Sequence, residues 1–311
     1  MDIFDYKGIK PMLISEQVEP FDNPDYIFEL KLDGLRCIAY CDENSVDLRN
    51  KRNIKLLPRF PELSQIYQCC NKKCILDGEL NILVHGKPDF YELQRRSLLS
   101  DPFKIRLALS KYPANFAAYD IIYYKDRLVT SLSLMERKKL LSEIIAENDK
   151  IAISRYIEKD GKTLFELAKQ QKLEGVVAKK KNSIYTFDKR TKDWCKIKWL
   201  KDDDFVCIGY IPKQNHMTSL ILGKYDMNHN FIIMTHVTLG VSLSKLQQHN
   251  IVYLDRPRNT PIYAEYNNAV WIKPIVCTIQ YMPSENINYR QAVFKCIRDD
   301  KLPFECVWLQ E

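Results

Sequence analysis

No run of about eighteen apolar residues occurs anywhere in the chain, which excludes a membrane-spanning helix on length. Asp2, Asp5, Glu16 and Glu19 stand within the first twenty residues where a secretory leader would need an apolar core, so no leader is expected. The ten cysteines are irregularly spaced. The tightest group, Cys69, Cys70 and Cys74, has no second CxxC or HxxxH half, and the five histidines are scattered. These cysteines therefore read as ordinary thiols rather than as a zinc site, in a cytoplasmic protein whose thiols stay reduced. Low-complexity segments and fixed-period repeats are also missing, so function has to be read from local patterns.

What is present is a chain of 311 residues, long enough for two cores. Its formal net charge of +7 is unevenly placed. Residues 1–200 hold 36 Lys+Arg against 29 Asp+Glu, whereas residues 201–311 hold 11 of each. A basic first part fits a polyanionic partner such as nucleic acid, and equally a solvated lysine-rich surface.

Short apolar or alternating runs bounded by turn residues predict strands over 26–32, 35–40, 74–84, 116–124 and 175–178. Ser133 and Glu136 have capping-box spacing and open a helical pattern through Leu140, Leu141, Ile144 and Ile145. The acidic run Asp202-Asp203-Asp204 ends the basic region. Beyond it, 205–211, 219–225, 231–237 and 270–281 read as successive strands with one helical interruption near 244–249. The expected fold class is α+β, with a mixed domain over 1–200 followed by a small β-barrel of OB type over 201–311.

The segment Glu29-Leu-Lys31-Leu-Asp33-Gly34-Leu-Arg36 carries the first chemical signal. A lysine at the end of an apolar strand and beside a tight Asp-Gly turn loses solvation and meets other cations. Both effects favour the neutral, nucleophilic amine. Taken alone, the same letters also describe a strand ending in a charged turn. Further strings follow in order: Arg49-Asn50; Leu76-Asp-Gly-Glu79-Leu80; Ala118-Tyr119-Asp120; Leu173-Glu174-Gly175-Val-Val-Ala-Lys179; and Arg190 ahead of Trp194-Cys-Lys196-Ile-Lys198-Trp199. Trp271-Ile-Lys-Pro274 and Val293-Phe-Lys-Cys-Ile-Arg298-Asp299-Asp300-Lys301 close the series.

This ordered series resembles the covalent nucleotidyltransferase superfamily and, within it, the ATP-dependent DNA ligases of compact two-domain bacterial type. The resemblance includes the ligase modules of bacterial end-joining proteins and runs across nearly the whole chain. It implies an adenylation domain followed by an OB-fold domain, and it implies roles. Lys31 attacks the α-phosphate of ATP and carries AMP. Glu29 hydrogen-bonds adenine, Arg36 and Glu79 lie near the ribose, and Tyr119 stacks on the base where ligases often have Phe. Arg49 contacts a phosphate. Glu79 and Glu174 offer the hard oxygen atoms that Mg²⁺ takes, with Mn²⁺ as a substitute and Asp33 assisting.

Lys196 and Lys198 alternate along a strand and so share one face, where with Arg190 they hold the α-phosphate. Arg298 and Lys301 orient the departing pyrophosphate and then swing away. The implied substrate is nicked duplex DNA, and the implied state is a monomer. NAD⁺-dependent ligases place a nicotinamide-recognition domain before the lysine, and only thirty residues precede Lys31. The competing readings are an mRNA-capping guanylyltransferase, an RNA ligase and, from a different class, a nucleic-acid-binding module that has lost its chemistry.

Overall fold

The computed structural model describes residues 2–214, 217–241, 244, 252–255, 266–283 and 289–308. The chain divides into two compact units, Met1–Lys198 and Trp199–Glu311.

The first unit is built on two sheets. A five-stranded sheet runs in the order Leu13–Gln17, Arg190–Lys198, Gly175–Lys180, Asn23–Leu30, Tyr156–Lys159. A larger sheet has the core order Val46–Asn50, Leu35–Cys41, Cys74–Val84, Ala114–Tyr124, Arg127–Leu128. Alternation along these strands sends the two side-chain sets to opposite faces. Ile38, Tyr40, Ile75 and Ile122 face Ile27, Met12, Tyr185 and Trp194 in one apolar cluster. Cys37, Ala39, Leu76 and Leu80 point the other way and pack with Leu93, Leu141 and Ile144.

The predicted helix is Leu134–Ile144, with both capping-box hydrogen bonds of Ser133 and Glu136 in place. Its buried stripe is Leu134, Arg137, Lys138, Leu141 and Ile144, which is helical spacing with two charged residues in it. Arg137 is matched by Asp120, with hydrogen bonds of 2.7 and 3.0 Å. Sequence reading missed the helices Phe90–Ser97, Pro102–Lys111 and Gly161–Gln170 and the short strands near 13–17, 46–50 and 151–159.

The second unit is a barrel whose strand pairs are antiparallel and whose closing bridge is parallel. Lys201–Pro212 pairs with Thr218–Tyr225 and with Val270–Met282, Thr218–Tyr225 with Phe231–Val237, and Val270–Met282 with Arg290–Ile297. A bridge between Leu239 and Val293, with Phe294 donating to the Leu239 carbonyl at 2.9 Å, joins the outer strands and closes the ring. Phe205, Leu220, Leu222, Val237, Cys277, Ile279 and Phe294 fill the interior. The register between the strands shifts around Ile272–Pro274, which is how a proline is accommodated inside a strand.

Two expectations need correction. The first barrel strand starts before the predicted 205–211: Asp202-Asp203-Asp204 already belong to Lys201–Pro212, where Lys224 pairs with Asp203 at 2.6 Å and Thr278 donates to Asp204 at 2.7 Å. The strand Arg290–Ile297 was read only as part of a charged motif. Apart from Ser244, the predicted helical stretch 244–249 lies outside the described residues. Among the described residues no helix is long and apolar enough to cross a membrane.

Candidate active site

Lys31 follows the last residue of Asn23–Leu30, so the observed strand stops one residue before it where the predicted run continued to residue 32. Its backbone N–H donates to the Gly175 carbonyl at 2.9 Å, so the turn is fastened to the neighbouring strand. Two glycines permit this approach. A Cβ on Gly34 would sit 2.3 Å from the Leu80 carbonyl oxygen and 2.6 Å from Glu79 Cγ. Gly175 has φ +143°, and a Cβ there would lie 2.0 Å from the Ile197 carbonyl oxygen.

The Lys31 ammonium donates to Glu174 Oε2 at 2.8 Å, and Lys198 Nζ lies 3.0 Å from Oε1 of the same carboxylate. Burial alone would raise the Glu174 pKa, but Lys31 and Lys198 more than offset it and the net shift is downward. Lys196 stands two residues before Lys198 on the same strand, as alternation required. Its pKa is lowered, first by burial and then by repulsion from Lys198, Lys31 and Arg190. Two lysines thus hold one carboxylate, with Lys196 close enough to feel both of them. Arg190 itself donates to the Ile14 carbonyl at 3.0 Å and is exposed. Asp33 is partly exposed on the turn between Lys31 and the strand Leu35–Cys41.

Glu79 is the cross-strand partner of Arg36. Burial pushes its pKa up to about 8, against the pull of Lys31 and Arg36, with Asp77 and Glu174 adding repulsion. Arg36 forks onto Asp77 with bonds of 3.0 and 2.6 Å, and its guanidinium lies 5.8 Å from the Tyr119 ring centroid. Tyr185 also donates to Asp77, at 2.7 Å. Tyr119 keeps part of its surface open and meets Trp194 edge-on at 6.3 Å.

Glu29 is 2% exposed. Ser154 Oγ and Lys179 Nζ each donate to Oε2 at 3.0 Å, and Lys138 pairs with Oε1. Burial works against the charge, yet Lys138 and Lys179 hold the pKa below the ordinary value. Lys179 is itself pushed down to about 8, chiefly by burial with Glu29 opposing. It sits 4.5 and 4.3 Å from the centroids of Tyr119 and Trp194. A carboxylate offers about four lone-pair positions, so these partners leave roughly one open on Oε1.

Other expected residues make their contacts with different partners. The Arg49 guanidinium is held by Asp47 at 2.9 Å and Asn53 at 3.0 Å on the Val46–Asn50 strand. Arg298 and Lys301 belong to the second unit, where both reach Asp204 Oδ2, at 3.3 and 2.9 Å. Lys138, Lys179, Asp77 and Ser154 went unassigned in the sequence. Lys138 alone left a usable signal, as a lysine on the apolar stripe of a capped helix.

Glu79 and Glu174 suit a divalent cation. They repel one another, and Glu79 takes up a proton near neutrality in the absence of one, so a dication beside them would be favoured by both.

A family model described as the ATP dependent DNA ligase domain matches residues 10–198. The chain is 30% identical over 206 residues to the SPbeta prophage-derived DNA ligase-like protein LigB of Bacillus subtilis (strain 168), covering 66% of this chain and 73% of that one. It is 34% identical over 234 residues to the bifunctional non-homologous end joining protein LigD of the same strain, covering 69% of this chain and 37% of LigD. The chain therefore spans little more than a third of that relative. Among solved structures it resembles mycobacterial DNA ligase D complexed with ATP and MES, at TM-score 0.57 and 23% identity, over 97% of this chain and 99% of that one. A Lig E DNA ligase, described as binding DNA with a minimal scaffold, gives TM-score 0.62 at 17% identity over 92% and 100%. At such identities these likenesses concern the fold.

Proposed function

The chain belongs to the ATP-dependent DNA ligase family, and from that premise we propose that it seals nicks bearing a 3′-hydroxyl and a 5′-phosphate in duplex DNA through an adenylate carried on Lys31. The observation that supports this reading most directly is the placement of the Lys31 amine against Glu174, with Lys196 and Lys198 on the adjoining strand. In the first step the Lys31 nitrogen bonds to the α-phosphorus of ATP, and the bond to the bridging oxygen breaks with its electron pair leaving on pyrophosphate. Glu174 orients the ammonium, which gives up one proton before attack and a second as the nitrogen–phosphorus bond forms, both passing to solvent or to the departing pyrophosphate. Lys196 and Lys198 stabilise the charge that builds on the α-phosphate oxygens. Next, a 5′-phosphate oxygen of the nick attacks the same phosphorus and the nitrogen recovers its pair. Finally the 3′-hydroxyl attacks the activated 5′-phosphate and AMP leaves.

Dividing the reaction at a covalent intermediate replaces one difficult displacement by easier ones. Tyr119 supplies a face for the base, and stacking of that kind is worth about 1–3 kcal/mol. The open position on Glu29 Oε1 can accept from the C6 amine of adenine, where guanine carries a carbonyl oxygen that cannot donate. Mg²⁺ or Mn²⁺ held by Glu79 and Glu174, with Asp33 nearby, would screen phosphate charge. In this reading residues 1–200 form the adenylation domain and 201–311 the OB domain, with Arg49 and Arg190 as phosphate contacts. The excess of basic residues in the first of these provides the DNA-facing charge. The protein acts as a monomer in the cytoplasm, in keeping with ten free cysteines.

Incubation with α-labelled ATP or GTP and Mg²⁺, followed by denaturing electrophoresis, tests the first step. AMP should attach and GMP should not. A nicked DNA duplex should then be closed faster than one with RNA at the nick. Labelling by GTP alone would favour a capping-type enzyme, and absence of label would favour a binding module.

A further inference from the structure

On the face of the larger sheet turned away from Lys31, Cys70 and Cys74 meet Cys41, which lies about thirty residues earlier in the chain. Cys41 ends the strand Leu35–Cys41, Cys74 begins Cys74–Val84, and the two are cross-strand partners. Cys70 follows the helical turn Ile66–Cys69. It is fixed by a bridge to Ile145 and by flanking backbone bonds, Asn71 to the Ile144 carbonyl at 3.0 Å and Ala146 to the Cys69 carbonyl at 2.8 Å. The three sulfur atoms lie within 4.8 Å of one another. Cys41 and Cys74 are fully buried, and Cys70 is partly exposed. Cys69, the neighbour that the sequence grouped with Cys70 and Cys74, turns its sulfur to Asn148 instead, at 3.2 Å.

We propose that Cys41, Cys70 and Cys74 form a three-thiolate site for one zinc ion, with solvent in the fourth position on the open side at Cys70. Zinc–sulfur bonds of about 2.3 Å in a tetrahedron place the sulfurs roughly 3.8 Å apart, so the thiols need to close by at most about 1 Å. Side-chain rotation can supply that while the backbone stays pinned. Three thiols give up their protons to solvent as three sulfur–metal bonds form, and nothing is oxidised or reduced. The ion would clip the 66–70 turn to the two central strands. Arg36 and Glu79, which sit on those strands, are five residue pairs away, about 17 Å. The site therefore stabilises the fold and takes no part in nucleotidyl transfer.

The test titrates the reduced full-length protein, free of oxygen, with Cd²⁺ and follows the sulfur-to-cadmium absorbance, then displaces it with Zn²⁺. Saturation at one equivalent is expected, together with a rise in Tm on adding Zn²⁺. Cys70→Ser, at the least buried of the three positions, should lower the absorbance by about a third and abolish the Zn²⁺-induced rise. Cys69→Ser should change neither. A fully reduced wild-type protein that gives no saturable absorbance and no shift in Tm would overturn the proposal without recourse to any variant. Equal losses in Cys69→Ser and Cys70→Ser, or two of the three sulfurs found joined as a disulfide in protein isolated under reducing conditions, would overturn it as well.

Discussion

The two units hold their motif charges under different physical conditions. In the first, Glu29, Lys138 and Lys179 have side chains only 3%, 2% and 3% exposed, and each is matched inside the protein. In the second, Arg298 and Lys301 are 36% and 29% exposed and share Asp204. A buried ion pair is rigid and expensive to break from one side, because the partner is left as an uncompensated charge. An exposed pair contributes about 0–1 kcal/mol and exchanges readily with water or another ligand. The first arrangement suits a preorganised pocket. The second suits cations that exchange partners, which is the behaviour expected of Arg298 and Lys301 from the family resemblance.

The largest effect should follow substitution of the nucleophile. Lys31→Ala should fold normally and attach no AMP, and Lys31→Arg should fail equally, since a guanidinium stays protonated. Mass spectrometry of the protein after incubation with ATP and Mg²⁺ measures this. An adenylate on the Lys31→Ala protein would end the assignment.

Glu29→Ala should come next. It strands two buried lysines and should cost about 3–5 kcal/mol of stability in urea unfolding, whereas Asp188→Ala, which removes an exposed partner of Lys10, should cost less than about 1 kcal/mol. Similar losses at the two positions would erase the contrast between buried and exposed charge.

These two cases also mark what the sequence made legible. Lys31, Glu29 and Glu174 stood in recognisable strings, and the strands that carry them were readable from short apolar runs. The partners of Glu29 were not. Lys138 reaches it from a helix about 110 residues away, and Lys179 reaches it because Gly175–Lys180 lies beside Asn23–Leu30 in antiparallel register. Strand neighbours are set by tertiary pairing rather than by local pattern, so Lys179 looks in sequence like any surface lysine. Cys41 was missed for the same reason. The first barrel strand is predicted to start too late, at 205, since three aspartates carry no apolar signal and their partners on other strands are not visible in sequence.

Arg298→Ala and Lys301→Ala should each slow formation of the lysyl-adenylate about 10²-fold, the usual scale for removing one transition-state contact. Sealing of a nick supplied with a pre-adenylated 5′ end should change little, because no pyrophosphate leaves in that reaction. Single-turnover rates on both substrates decide this. Equal losses on both would assign the pair to DNA binding or to stability of the barrel.

Glu79 sharpens the comparison through pH. Its folded pKa of about 8 lies above the ordinary 4.5, so between these values the folded protein holds a proton that the unfolded chain has released. Stability is therefore greatest below the lower value and declines as pH rises through the window. Glu79→Gln should flatten that decline in metal-free unfolding measurements. Binding of Mg²⁺ near pH 7 should release protons from the wild type and fewer from the variant, as read by calorimetry in buffers of different ionisation enthalpy. An unchanged slope in the variant would mean that Glu79 is ionised in the folded state.

The smallest effect should come from Asp204→Asn. Asp204 accepts from both Arg298 and Lys301, and its own pKa is lowered by Thr278 and Lys301 against the influence of burial. The substituted amide can still accept from Thr278, so the barrel strand should keep its local bond while the anionic anchor for the two cations is lost. Because Arg298 retains Asp300, with bonds of 2.7 and 2.8 Å, the change should stay within about 1 kcal/mol, or roughly fivefold in rate. If detachment from Asp204 precedes engagement of the triphosphate, the sign is fixed: lysyl-adenylate formation should become faster by up to that factor, with sealing of a pre-adenylated nick unaltered. The gain should shrink in high salt, where the wild-type pairs are already screened. A slower adenylation step at unchanged stability would mean instead that Asp204 positions the two cations for their task, and the exposed pairs of the second unit would then be preorganised in the same sense as the buried ones of the first.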